Sequence, residues 1–516
     1  MPTTVALKSS AGKWLMVSAI LASAMAFIDS TALNVILPSL QKNLNASGTD
    51  LFWILNAYLL MLASLILIGG SLGDTLGRKK VFMAGIFIFI VGSAACGFST
   101  SVLLLVAFRI LQGIGGALMI PGSLSLISSS INQQERGKAI GTWSAFTTIV
   151  TMGGPILGGA FGDAGLWRLI FFINVPIGIA ALIILWLKVQ ESRDDGADQS
   201  LDFPGAITIA LGLALLTFGF LRIPAGGLKN WQAYGSISAG IGFLVAFIII
   251  EYKSKHPMMP LRLFSSATFS GANLLTLFLY AGLGAGMLFL SLNLVQVQGY
   301  SQLQSGLTFL PFTLLMVSIA RFAGSLSDKY GPRLFLIFGP AAAGAGLFML
   351  SFVQQTSGPG VYWTTFFPGV IVFGLGMSFT VAPLTTTVMG SVSEHFSGTA
   401  SGVNNAMTRI ASVFANAIFG ALAVLFFAGA LNVQLRTIPL SPKQKQQVTA
   451  QAGNLGNAKV PVQLTAQKTL ITKAYHTSFI SAYAKIMRIC AALGFLGALM
   501  AFLLIRNEAV KKNSSP

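Results

Sequence analysis

The sequence predicts an all-α integral membrane fold of 14 crossing helices, arranged as two six-helix bundles with an extra pair inserted between them. Three observations point there. Hydrophobic residues make up 54% of the 516 and charged residues only 9%, with a mean hydropathy of +0.77, whereas soluble domains carry about 25% charge. The apolar residues gather into runs that can cross a bilayer, which takes about 20 residues of helix. And one charged turn recurs: GSLGDTLGR at 70–78 returns as GSLSDKYGPR at 324–333.

Taken in order, span 1 is expected at 14–37 and carries Asp29 well inside its apolar run. An acid at the centre of a membrane helix costs about 2.5–3.5 kcal/mol, so by default it marks function. Spans 2 and 3, at 51–72 and 80–99, flank the glycine-bearing turn Gly70–Lys80. Span 4, 101–121, holds Arg109 and Gln112; span 5, 137–161, holds Gly154-Pro155 and Gly158-Gly159; span 6 runs 168–188. The acidic connection Lys188–Asp202 then leads to spans 7 and 8 at 203–222 and 233–252. Spans 9 to 14 are expected at 268–296, 303–325, 333–353, 363–388, 398–427 and 476–505. A long polar, basic loop over 430–475 precedes the last of them, and its Ser441-Pro442 pair has the form of a helix start.

An even number of spans puts both termini on one side. The short connections hold roughly 18 Lys and Arg on that side and about 4 on the other, so both termini are expected in the cytoplasm of a cell (inner or plasma) membrane. If the repeated turn closes the second helix of each bundle, the domains are 1–190, an inserted pair over 191–260, and 261–516 with its loop 430–475. Such repeats mark secondary transporters.

Other classes find little support. The net charge of +18 lies in short gaps between apolar runs, which orients a membrane protein rather than building a nucleic-acid groove. Cys96 and Cys490 fall within spans, and His256, His395 and His476 are scattered, so neither metal nor cofactor is expected. No GxxxxGK[ST] run supports ATP-driven pumping, and no cluster of His, Cys or paired acids at membrane depth supports an enzyme.

Several motifs carry a family resemblance. The turn Gly70–Lys80, the run Arg109-Ile-Leu-Gln112-Gly113-Ile-Gly115-Gly116, and Gly154-Pro155-Ile-Leu-Gly158-Gly159 fall in order on successive elements. So do Asp29-Ser-Thr-Ala-Leu-Asn34-Val-Ile-Leu-Pro38, the run Trp167–Gly178 and Asp202-Phe-Pro-Gly205. Together they resemble the major facilitator superfamily, and its 14-span drug:proton antiporter branch in particular, from end to end. Two departures stand out: Val150 takes the place of the leading glycine in the span 5 motif, and no second buried acid is expected in the C-terminal half.

The resemblance implies the major facilitator fold and proton-coupled export of hydrophobic or amphiphilic compounds by alternating access. Asp29 and Arg109 fall at similar depth by residue counting, so they are the expected proton-coupling pair, Arg109 tuning the carboxylate. Gly70, Asp74, Gly77, Arg78 and Lys79, with Asp328 and Arg333 as their counterpart, are expected to gate conformation, the glycines supplying positive φ and the charges meeting helix ends. Gly154, Pro155, Gly158 and Gly159 are expected to bend span 5 and pack it against span 10. For substrate, Asn34, Asn56, Tyr58, Gln112, Tyr280, Asn293, Gln296 and Arg409 are the polar candidates in an apolar cavity. The expected partners are protons, a small hydrophobic or amphiphilic substrate and the bilayer, without nucleic acid, for a chain working as a monomer. One buried acid suits a neutral or monovalent cationic substrate. The alternatives are an anionic amphiphile, since Arg109 and Arg409 outnumber Asp29, a lipid or metabolite carried on the same fold, and a membrane receptor or enzyme without transport.

Overall fold

The computed structural model describes residues 4–192, 202–226, 230–392 and 396–506; the side chains of Asp74 and Asp328 lie outside the described residues. Among the described residues there is no strand, and 14 helical crossings are long and apolar enough to span a membrane. They are α1 (Ser10–Asn43), α2 (Gly48–Leu76), α3 (Arg78–Phe98), α4 (Val102–Ser130), α5 (Gln133–Asp163) and α6 (Leu169–Phe172 continued by Asn174–Lys188). The inserted pair is α7 (Phe203–Gly226) and α8 (Trp231–Lys253). Then come α9 (Ala267–Gln296), α10 (Gln302–Leu307 and Leu310–Tyr330), α11 (Pro332–Leu350), α12 (Tyr362–Thr365 and Phe367–Gly390), α13 (Ser397–Gln434) and α14 (Lys468–Leu504).

Every expected span is present, and several run further than their apolar stretch because polar residues cap them outside it. Ser9, Ser101 and Ser266 accept from backbone N–H groups of the first turns of α1, α4 and α9. Ser47 with Asp50, and Ser301 with Gln304, close reciprocal capping boxes at the starts of α2 and α10. The loop before the last helix is shorter than 430–475, since α13 continues to Gln434 and α14 begins at Lys468. Its Ser441-Pro442 pair does start a short helix, Pro442–Thr449.

The packing repeats. In the first six helices α1 meets α5 and α6, α2 meets α4, and α3 meets α4 and α6. The same pairs recur eight helices later: α9 with α13 and α14, α10 with α12, and α11 with α12 and α14. The two sets touch through α2 on α13, α5 on α10 and α1 on α9. The inserted α7 lies across the α2–α13 seam, where Ile209 and Leu213 pack with Leu60, Ala63 and Val413.

After 14 crossings the described ends, Thr4 and Arg506, lie on one face, called here the terminal face; the long loop lies on the other, the loop face. At the loop face the two halves are fastened. The Asp163 carboxylate at the end of α5 accepts from the backbone N–H groups of Gln302 (2.8 Å) and Leu303 (2.9 Å) at the start of α10. Gln302 Nε2 donates to Ser39 Oγ on α1 (2.6 Å). The long loop crosses the same mouth: Asn457 Nδ2 donates to Gln41 Oε1 (2.8 Å), Gly453 lies against Gly48, and Gly456 lies against Gln296 of α9. The largest hydrophobic core runs through the second half and joins it to the loop-face ends of α1 and α2, with Ile36, Leu40 and Phe52 in one cluster with Leu288, Phe289 and Phe419.

Candidate functional site

Asp29 sits on α1 with its side chain fully buried (0% exposed), and Arg109 of α4 (1% exposed) forms an ion pair with it. Because α1 runs from the terminal face and α4 from the loop face, the two side chains reach the same depth from opposite starts. Arg109 Nη1 donates to Asp29 Oδ2 and also to Gln112 Oε1 (2.8 Å), while Gln112 Nε2 donates to Asp29 Oδ1 (2.9 Å). Gln112 stands one turn along α4 from Arg109, which is why both reach one carboxylate. Arg109 Nε donates to the Ile54 carbonyl of α2 (3.3 Å), and its guanidinium lies 4.4 Å from the centre of the Tyr58 ring. Cys96 Sγ of α3 approaches Gln112 Oε1 at 3.9 Å. Four helices of the first half thus converge on one carboxyl group.

A buried pair of this kind is stable only while both charges are present, because removing one partner strands the other in a low dielectric at a cost of about 3–5 kcal/mol. Each carboxylate oxygen accepts one side-chain donor, Oδ2 from Arg109 and Oδ1 from Gln112. The ion pair therefore joins α1 to α4 through one carboxyl group.

The substrate candidates do not form one cluster. Tyr58 and Gln112 belong to the Asp29 network, and Tyr58 Oη, buried, has no hydrogen-bond partner among the described residues. Asn56, also fully buried, has neither amide atom partnered among them. Asn34 is half-buried on α1. Arg409, half-buried on α13, lies within electrostatic range of Tyr58 on α2 and of Tyr280 on α9, so its charge sits in the seam between the halves. Asn293 and Gln296 lie in the last turn of α9 at the loop face, where Gln298 Nε2 reaches Asn293 Oδ1 (3.5 Å) and Gly456 of the loop covers Gln296. Those two serve the loop-face packing and not the Asp29 surroundings. Sequence counting missed this because it does not show what a helix end is covered by.

The repeated turn is built from a single special residue in each copy. Gly77 (φ 111°) joins α2 to α3 and Gly331 (φ 86°) joins α10 to α11, both in backbone space that other residues avoid. Gly70 is not part of the turn: it is helical, and a Cβ there would find its nearest neighbour, Pro121 Cβ, 3.9 Å away. Among the described residues, the acid at the positive end of α3 is Glu191, which accepts from the backbone N–H groups of Lys79 (2.9 Å) and Lys80 (3.1 Å). It lies in the acidic connection that the sequence presents only as a linker. Arg78 N donates to the Ser192 carbonyl of the same segment (2.9 Å). Lys79 Nζ donates to the Val189 (2.7 Å) and Trp186 (3.4 Å) carbonyls at the end of α6, and Arg333 Nη2 donates to the Phe502 carbonyl at the end of α14 (2.8 Å). In each half, then, a cation just past the turn caps the sixth helix.

In α5 the glycines divide between two neighbours. Side chains at Gly154 and Gly158 would overlap Thr31 and Ala32 of α1, while one at Gly159 would overlap Gln302 and Leu303 of α10. Gly306 of α10 in turn lies against the Pro155 carbonyl. The helix is unbroken from Gln133 to Asp163 despite Pro155, so the proline interrupts one hydrogen bond without ending the helix. The expected contact with span 10 is therefore present at Pro155 and Gly159, while Gly154 and Gly158 serve α1.

The run Trp167–Gly178 is structural. Arg168 Nη2 donates to the Ser99 carbonyl (3.0 Å), and Asn174 Nδ2 donates to Ser93 Oγ (3.0 Å), which ties α6 to α3. Among the described residues no group of three or more His, Cys, Asp or Glu side chains is arranged to hold a metal ion.

Comparison with known proteins gives concordant results. Residues 19–416 match the model of the Major Facilitator Superfamily. The chain is 32% identical over 398 residues to the tetracenomycin C resistance and export protein of Streptomyces glaucescens, covering 77% of this chain and 73% of that one. It is 30% identical over 426 residues to the multidrug resistance protein Stp of Mycobacterium tuberculosis H37Rv (82% and 78% covered). It is likewise 30% identical over 428 residues to the methylenomycin A resistance protein of Bacillus subtilis (82% and 90%). Among solved structures, a bacterial homologue of the human lysosomal transporter Spinster, inward-facing and unoccupied, superposes with a TM-score of 0.67 at 19% identity, covering 96% of this chain and 98% of that one.

Proposed function

Since the chain belongs to the Major Facilitator Superfamily, we propose that it is a proton-coupled antiporter that exports hydrophobic or amphiphilic compounds by alternating access. The coarser statement holds outright: it is a multi-pass membrane transporter of small molecules and not an enzyme. Its relatives at about 30% identity are named for resistance and export, which supports an outward-directed cargo of the antibiotic kind.

The observation that carries the coupling is the buried Asp29–Arg109–Gln112 network, an acid inside a membrane-spanning helix whose ion-pair partner belongs to a different helix. In the proposed cycle the rocking halves are residues 1–190 and 261–516, the pair over 191–260 rides across the seam between them, and the chain works as a monomer. The terminal face is cytoplasmic in this reading, and the contacts that fasten the loop face form the outer gate in its closed form. Asp74, Asp328 and the turn contacts of Lys79 and Arg333 belong to the gating of that face. Proton entry at Asp29 from outside, with release inside after rearrangement, then drives one exchange per cycle. The direct test is efflux in proteoliposomes with an imposed pH gradient, over neutral, cationic and anionic amphiphiles. Gradient-independent movement of all of them would overturn the coupling.

A second reading concerns cargo charge. Arg409 lies in the seam and has no hydrogen-bond or ion-pair partner among the described residues, which favours an acid-bearing amphiphile. In the same assay it predicts that Arg409→Gln reduces export of anionic compounds more than of neutral ones.

A further inference from the structure

We propose that Asp202 and Glu251 form a second proton-binding site, in the inserted helix pair, where their facing carboxyl groups share one proton taken from the compartment of the termini. The two acids come from opposite ends of the pair: Asp202 precedes α7, and Glu251 lies in the last turn of α8. Both are buried, at 9% and 2% exposure. Each has one oxygen occupied by a backbone donor. Asp202 Oδ1 accepts from Gly205 N (2.8 Å), capping α7, and Glu251 Oε2 accepts from Met259 N (3.0 Å) in the segment that leads to the second half.

The remaining oxygens, Asp202 Oδ2 and Glu251 Oε1, have no donor in the described residues. They converge on one point, since a Cβ added to Gly205 would stand 2.8 Å from the first and 2.9 Å from the second. The two carboxyl groups are within hydrogen-bond reach of each other, and among the described residues Asp202 is the one charged group that acts on Glu251. Lys253, Lys255, His256 and Arg262 follow in sequence with exposed side chains, and the described terminal-face ends of α2 and α13 place no charged side chain against the pair. Two ionised carboxylates facing each other without a cation is the arrangement that like-charge repulsion and desolvation both oppose; one retained proton converts it into a hydrogen bond.

The consequence is mechanical. The shared proton ties the start of α7 to the end of α8, and through Met259 it ties the pair to the second half. Because α7 lies across the α2–α13 seam, losing the proton loosens a brace that touches both moving bodies. This site goes beyond the coupling at Asp29 and does not depend on it.

Infrared spectroscopy of the whole protein in lipid, near pH 7 where exposed carboxyl groups are ionised, reads the proton directly. A protonated-carboxyl stretch is expected in the wild type, retained in Asp29→Asn and lost in Glu251→Gln. Thermal unfolding supplies a second measurement. The folded state holds a proton that the unfolded chain gives up, so the wild-type midpoint should fall as the pH rises from about 6 to about 9. In Glu251→Gln, whose amide donates to Asp202 at every pH, that fall should be absent. If Glu251→Gln does not fold, Asp202→Asn makes the complementary amide–acid pair and should give the same flat profile. No carboxyl stretch assignable to the pair, identical pH profiles, or a midpoint raised by added divalent cations would each overturn the proposal, the last because it would put a metal ion where the proton is placed.

Discussion

Replacing Asp29 by Asn tests the coupling at the atom where it is proposed to occur. The carboxylate offers two acceptor oxygens, one taken by Arg109 Nη1 and the other by Gln112 Nε2. Asn offers one oxygen and one amide nitrogen. If the oxygen keeps Arg109, the new nitrogen meets Gln112 Nε2 donor to donor. Turning Gln112 over relieves that clash but withdraws the Oε1 that Arg109 and Cys96 use. Either way the Arg109 charge stays buried without its counter-ion, and stability should drop by about 3–5 kcal/mol. The double variant Asp29→Asn/Arg109→Gln removes the stranded charge and should recover most of that loss. Neither variant can bind and release a proton at position 29. One pH unit across the membrane is worth about 1.36 kcal/mol per proton. A neutral substrate exchanged one for one should therefore accumulate about tenfold per pH unit in wild-type proteoliposomes, and not at all beyond equilibrium in either variant. Accumulation at the wild-type level in the folded double variant would refute the reasoning, because its stability control removes misfolding as an explanation.

Three further outcomes follow from the loop face and the turn. Gln41→Cys with Asn457→Cys, joined by a short thiol cross-linker, should stop export until the linker is cleaved, since those side chains lie on the first half and on the loop and hydrogen-bond at 2.8 Å; the native Cys96 and Cys490 are buried and should give little background. Full cross-linking with unchanged export would mean the loop does not move. Gly77→Ala should cost about 1–3 kcal/mol, read as a lower thermal midpoint, because its φ of 111° suits glycine and its Cβ would stand 2.9–3.1 Å from the Glu191 carboxylate. Gly70→Ala, in the same motif but with nothing nearer than 3.9 Å, should be close to neutral, so equal midpoints for the two would contradict the assignment. Gly306→Val places side-chain atoms into the Pro155 carbonyl and should push the α5–α10 contact apart, detected as faster thiol labelling of a Ser39→Cys reporter beneath Gln302.

The fold was legible in the sequence because its signals are one-dimensional. A run of apolar residues needs no partner to announce a span, and GSLGDTLGR with GSLSDKYGPR announces a repeat by simple identity. Asp29 and Arg109 were legible too, since helix rise turns residue number into depth and α1 and α4 run in opposite directions. What depth counting cannot supply is azimuth and cover. Asn293 and Gln296 have the right composition for a cavity but lie under the loop. Glu191 has the look of linker charge until α3 is placed beside it. Asp202 and Glu251 are 49 residues apart in a hairpin whose ends meet only once α7 and α8 are packed, so neither announces a pair.

The geometry also constrains how a proton at Asp29 reaches the second half. Among the described residues every polar side-chain partner of Asp29 belongs to the first half, so the ion pair makes no direct bond to the second bundle. Two routes lead outward from it. One runs along α1: Thr31 and Ala32, within a turn of Asp29, sit in the small-residue faces of Gly154 and Gly158, and the next faces of α5, at Pro155 and Gly159, meet Gly306 and Leu303 of α10. The other runs through Arg109 to Tyr58, whose helix α2 packs on α13, where Arg409 lies within reach of the same ring. Close packing at glycines transmits a shift of α1 with little slack, since backbone meets backbone without a flexible side chain between. The electrostatic route responds instead to charge: protonating Asp29 leaves Arg109 without its counter-ion while Arg409 already stands nearby, so the two cations oppose each other across the α2–α13 seam. Both routes end at contacts between the halves, α5 on α10 and α2 on α13, so in the proposed cycle a change of charge at position 29 is felt on both sides of the seam without any direct bond across it.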